Sequence, residues 1–92
     1  MARARLYAFV EGEVQMVGFR AFVVECADRL RLVGWVRNTR DGRVELVAEG
    51  EEPSLRALLD NLRQGPRAAR VTAVKETWDD PTSEYSGFYI KG

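Results

Sequence analysis

The spacing of apolar residues along this chain changes period repeatedly, and the order of those changes restricts the fold more than any other feature. Arg5 to Glu11 alternates with period two: Leu6, Ala8 and Val10 point one way, Tyr7 and Phe9 the other. Both faces are apolar, which predicts a strand inside a sheet. Gly12 to Gly18 breaks the pattern and reads as a loop. Phe19, Phe22, Val23, Cys26, Ala27 and Leu30 then recur at helical spacing, so Phe19 to Leu32 is expected to be a helix with one apolar stripe, stopped near Gly34. Period two returns in Trp35 to Thr39 and in Arg43 to Glu49, joined by Arg40-Asp41-Gly42, and Asp-Gly between two such runs is a hairpin signal. Pro53 suits the first turn of a second helix, with Glu51 and Glu52 at its electropositive start. Leu55, Leu58, Leu59 and Leu62 form its stripe, and Gly65-Pro66 ends it. Val71 to Trp78 alternates again, Asp79 to Gly87 is polar loop, and Phe88-Tyr89-Ile90 can add a short last strand.

The order is β-α-β-β-α-β with a tail strand. It predicts an α+β, ferredoxin-like sandwich: an antiparallel sheet with two helices on one face. No linker, repeat or low-complexity tract divides the 92 residues, so residues 1–92 are expected to form a single domain.

Composition excludes several functions. Fourteen basic residues balance fourteen acidic ones, and a general nucleic-acid binder needs a basic excess to displace counterions. There are no histidines, which removes His-dependent triads, His bases and most zinc sites. The single cysteine, Cys26, cannot form an intrachain disulfide and sits on an apolar stripe, so it reads as core. Arg3 and Arg5 before Leu6 to Val10 loosely resemble a signal peptide, but Glu11 ends the apolar run early. No run approaches a membrane span. The expectation is a cytoplasmic protein with no membrane partner.

Three features invite a chemical reading. The loop Glu11 to Gly18 leads into a helix start, where unpaired N–H groups can hold an anion; its plain reading is a βα connection with glycines for turning. Arg20 falls in the first helical turn, where the dipole disfavours a cation. An anion there would explain it, because a guanidinium fork matches phosphate oxygens; nearly all basic residues here are arginine, so a solvated surface arginine is the alternative. Asn38 ends a strand, where asparagine is depleted, and is either a turn residue or an amide that orients a water.

Together these residues resemble a known family. Val10-Glu11-Gly12-Glu13-Val14-Gln15-Met16-Val17-Gly18-Phe19-Arg20 is similar to the signature of acylphosphatases. Gly34-Trp35-Val36-Arg37-Asn38-Thr39-Arg40-Asp41-Gly42-Arg43-Val44, with Gly50 beyond, resembles the second signature, and Gly87 to Lys91 resembles the family's ending. The resemblance implies metal-free and cofactor-free hydrolysis of acyl phosphates to carboxylate and inorganic phosphate. It implies that backbone amides of Gln15, Met16, Val17, Gly18, Phe19 and Arg20 cradle the phosphate. Arg20 would pair with its oxygens, and Asn38 would position the attacking water. Phosphate or sulfate would then bind the same loop, and the protein is expected to be a monomer. One departure stands out. The position after Gln15 is usually glycine in this family and sometimes histidine; here it is Met16. A methionine either narrows the cradle or swings its flexible thioether aside.

The missing residue types fit this chemistry. An acyl phosphate expels a carboxylate whose acid has a pKa of ~4, so no general acid is required. Positioning and charge stabilisation make up most of phosphoryl transfer. The alternatives are a non-catalytic binder of phosphate or acyl phosphate that lost turnover through Met16, a piece of a larger carbamoyl-transfer enzyme, and an RNA-recognition module. The last lacks stacking aromatics on Arg43 to Glu49, and the Met1 start and short tail favour a free-standing protein.

Overall fold

A computed structural model describes residues 2–92. The elements are β1 (Arg3–Glu13), α1 (Phe19–Arg29), β2 (Val33–Asn38), β3 (Val44–Glu51), α2 (Glu52–Gln64), β4 (Arg70–Asp79) and β5 (Phe88–Ile90). The strands form one sheet in the order β4-β1-β3-β2-β5. The first four pair antiparallel, as the element order predicts. β5 corrects the purely antiparallel expectation. It lies parallel to β2, with Gly34, Trp35 and Val36 opposite Phe88, Tyr89 and Ile90, so the sheet is mixed.

The alternation in β1 does what its period requires. Leu6, Ala8 and Val10 are fully buried, and β3 adds Val44, Leu46 and Ala48 beside them. Both helices lay their stripes on this face. Phe19, Val23, Cys26 and Ala27 of α1 and Leu55, Leu58, Leu59 and Leu62 of α2 join the same apolar cluster. Each buried leucine or valine contributes on the order of 1.5–3 kcal/mol.

Two boundaries differ from the sequence reading. β1 continues through a bulge at Glu11/Gly12 to Glu13, which shortens the connecting loop to residues 14–18. α1 ends at Arg29, three residues before the expected end. Leu32 N–H donates to Ala27 O (2.9 Å) and Arg31 N–H to Asp28 O (3.1 Å), the paired bonds of a Schellman cap. Arg31 takes the left-handed conformation there (φ 60°) without being glycine. Gly34 therefore does not stop the helix. It lies inside β2 at φ 141°, where a Cβ would sit 1.9 Å from Val47 O, so only glycine lets β2 and β3 approach this closely.

Part of the other sheet face is covered as well, around Glu49 and Trp35. The segment between β4 and β5, a polar loop by sequence, straps across it. The Glu49 carboxylate is fully buried and accepts from Thr82 N–H (2.8 Å), Thr82 Oγ1 (2.9 Å) and Ser83 N–H (3.0 Å). Trp35 Nε1 donates to Tyr85 Oη (3.2 Å). Gly34 N–H donates to Gly87 O (2.9 Å), which delivers the chain to β5.

Candidate active site

The loop at residues 14–18 is held from below and from the side. Val14 is buried and Val17 packs against the core. Gln15 Nε2 donates to two carbonyls of the β2–β3 hairpin, Thr39 O (2.7 Å) and Arg43 O (2.8 Å). The hairpin closes through Thr39 N–H to Arg43 O (2.9 Å) and Gly42 N–H to Thr39 O (3.3 Å). Asp41 braces it further: hydrogen bonds from Arg43 and Thr39 hold its carboxyl down to about 2. The Gln15 side chain thus ties the loop to the strand end that carries Asn38. The family resemblance implies only a backbone role for Gln15. The signal for this second, side-chain role is a lone amide in an otherwise apolar loop, because its NH₂ can bridge two carbonyls at once.

Between these anchors the backbone curls. Met16 has φ 62° and Gly18, the residue preceding α1, has φ 79° and ψ 18°. Left-handed residues in such a loop can turn successive N–H groups toward one concave side. No side chain caps α1, and its first turn holds no acidic residue. Phe22 N–H is the first helical donor, reaching Gly18 O at 3.1 Å. Among the described residues, no N–H of Gln15 to Ala21 donates to a protein acceptor. A row of free donors at a helix start favours an anion.

A cleft of about 150 Å³ opens against this row. Of the residues singled out by sequence, Met16, Gly18, Phe19, Arg20 and Asn38 line it, and Val14, Ala21 and Ile90 complete the wall. Gln15 and Val17 lie outside the lining. Arg20 is exposed and forms no ion pair among the described residues. Asn38 Oδ1 is buried with no hydrogen-bond partner. Such an acceptor costs about 1–3 kcal/mol unless something donates to it. Met16 does not fill the cleft floor. Its side chain is 100% exposed while its backbone keeps a glycine-like angle.

The other candidates for chemistry lie outside this cleft. Burial pushes the Cys26 thiol up, against a weaker opposing hydrogen bond from Arg29. Glu11 pairs with Arg43 (3.7 Å), and neither Glu11 nor Glu13 lines the cleft. Among the described residues, no group of three or more His, Cys, Asp or Glu could hold a metal, and Asp79 Oδ1 is engaged by Asp80 N–H (2.7 Å). Among the described residues no helix is long and apolar enough to cross a membrane.

Comparison with known proteins identifies the family and the fold. The acylphosphatase family model matches residues 6–90. An acylphosphatase of Pseudomonas aeruginosa is 53% identical over 91 residues, covering 99% of both chains. One of Thermus thermophilus is 48% identical over 86 residues, covering 94% of this chain and 97% of the relative. The crystal structure of acylphosphatase from Bacillus subtilis superposes with a TM-score of 0.94 at 37% identity, covering 97% of this chain and 99% of the other. With matches of this extent on a sheet and two helices of the same arrangement, the chain belongs to the acylphosphatase family of enzymes.

Proposed function

We propose that this protein hydrolyses acyl phosphates without metal or cofactor, at the cleft between the 14–18 loop, Arg20 and Asn38. One observation carries the reading: among the described residues, a helix start whose N–H donors are unpaired, an arginine without an ion pair and the residue of a buried, unpartnered amide oxygen border one small cleft.

Each part has a role in that reaction. The N–H groups of Gln15 to Arg20 receive the phosphoryl oxygens, and the Arg20 guanidinium adds a charge-assisted pair. Asn38 Oδ1 accepts a hydrogen bond from water and holds it opposite the leaving oxygen. The water oxygen then bonds to phosphorus as the bond from phosphorus to the acyl oxygen breaks. The electron pair of that bond leaves with the carboxylate. The proton of the water passes to a phosphoryl oxygen, giving inorganic phosphate. The leaving carboxylate is already a weak base, so the absence of a protein acid at the cleft is no obstacle. Positioning and charge stabilisation remain, and the named groups supply both.

On this reading residues 1–92 act as one domain, a cytoplasmic monomer that also takes phosphate or sulfate at the loop. The test is hydrolysis of benzoyl phosphate with excess chelator by the wild type, Arg20→Ala and Asn38→Ala. Activity should survive the chelator and fall by about 10²–10³ in each variant. A folded wild type without activity would instead leave a non-catalytic phosphate binder. Activity retained in both variants would place the chemistry elsewhere.

A further inference from the structure

The large apolar side chains that stand exposed among the described residues are Met16 (100%), Tyr89 (48%) and Ile90 (46%). Met16 and Ile90 both line the active-site cleft, although they come from different elements, the 14–18 loop and β5. Behind them the wall is also apolar, formed by buried Val14 and Phe19. The cleft therefore has two poles. Arg20, Asn38 and the free N–H row make one, and an uncovered apolar lip makes the other.

An acyl phosphate has the same polarity. Its phosphate carries the charge and its acyl group carries the carbon. With phosphate against the N–H row, the acyl group must leave the cleft past its remaining walls. Met16 is informative here because its backbone angle is one that glycine adopts freely and methionine does not. A large side chain kept at such a position, pointing away from the core, has no packing role to account for it.

Building on the acylphosphatase reading above, we infer that Met16 and Ile90 form an acyl-binding lip that selects bulky apolar acyl phosphates over small ones. The Met16 thioether suits an aromatic acyl group in particular, since sulfur makes favourable contacts at ring edges. Ile90 supplies a fixed, β-branched surface on the opposite element.

The experiment compares kcat/KM for benzoyl phosphate and acetyl phosphate in the wild type, Met16→Gln and Ile90→Thr. Met16→Gln keeps side-chain size and replaces apolar surface with polar; Ile90→Thr keeps the β-branch, removes the terminal methyl and puts a hydroxyl in place of carbon. Following the change in the benzoyl-to-acetyl ratio cancels the intrinsic reactivity of the two substrates. The ratio should fall about three- to tenfold in each variant, less than the roughly 10–200-fold of one methylene in a closed apolar pocket because the lip is open to solvent. A purely structural role would lower both substrates alike and leave the ratio where it was, and that result overturns the lip. A wild type that hydrolyses neither substrate refutes the acylphosphatase reading, and the lip with it. That outcome is distinguished before any variant is made.

Discussion

Glu49→Gln is the most informative single change in the fold, because the Glu49 carboxylate accepts three of the hydrogen bonds that fasten the strap on the second sheet face. The substitution keeps the side chain's size and replaces one acceptor oxygen with a donor NH₂. In the wild type one oxygen takes Thr82 N–H and Oγ1, the other takes Ser83 N–H, and Arg5 Nη1 lies 3.8 Å away. Either orientation of the amide sets its NH₂ against a backbone N–H. The better one still loses a charge-assisted bond and leaves two donors facing each other in a fully buried place. That amounts to about 2–4 kcal/mol. In a domain of this size each kcal/mol shifts Tm by about 4–8 °C, so a drop of at least ~8 °C is expected at pH 7.

The pH dependence separates lost charge from lost packing. Burial raises the Glu49 pKa, but the bonds from Thr82 and Ser83, with Arg5 nearby, outweigh it and hold the carboxyl below its usual 4.5. A folded-state pKa below the unfolded one gives stability that is present above the unfolded value. It is lost as pH falls through the folded value. Glutamine does not titrate. The Tm gap between wild type and Glu49→Gln should therefore be full at pH 7 and close progressively below about 4.5. Thermal melts by circular dichroism from pH 7 to pH 3 measure it. A gap of the same size at both ends would refute the electrostatic account, and a gap under ~0.5 kcal/mol at pH 7 would refute the latch itself.

Two further changes test the local geometry. Arg31→Gly should stabilise the protein by about 0.5–1 kcal/mol, because Arg31 holds the left-handed Schellman position that glycine adopts without strain; urea unfolding reads this, and a loss of stability would show that the arginine side chain contributes more than its backbone costs. Gln15→Ala removes both ties from the loop to the hairpin, so stability should fall by about 1–2 kcal/mol and kcat should fall with it as the loop and Asn38 lose their fixed spacing; an unchanged kcat in a destabilised variant would reduce Gln15 to a structural brace.

Local periodicity carried most of the fold. Each strand and helix shows in the spacing of its apolar residues, because one face of each is buried in a single cluster. What escaped was set by contacts distant in sequence or by unusual residue choice. The end of α1 carries arginine where a glycine would have announced it. The parallel seat of β5 beside β2 depends on which sheet edge remains open, and no local pattern encodes that. Glu49 looks like a solvated residue on an alternating strand, yet it is buried by a strap arriving some thirty residues later. At the candidate site, Arg20 and Asn38, which both line the cleft, stand out in the sequence because each contradicts its local preference. A cation stands at a helix start, and an asparagine ends a strand. Ile90 carried no such conflict, since an apolar residue in a strand raises no question until the sheet places it at the cleft.

Met16 joins these threads. Its left-handed backbone costs about 1–2 kcal/mol that glycine would not incur. The loop nevertheless holds this shape, because Val14 and Val17 pack on one side and Gln15 grips two carbonyls on the other. Those anchors, rather than the residue at position 16, determine where the N–H groups point. The side chain at 16 is thereby released from its backbone duty and can answer to whatever lies above the cleft. Glycine would relax the strain and leave Ile90 as the remaining exposed apolar wall of the acyl end. Methionine keeps the strain and restores the second wall, so the benzoyl-to-acetyl ratio in Met16→Gln reads directly what that strain is retained for.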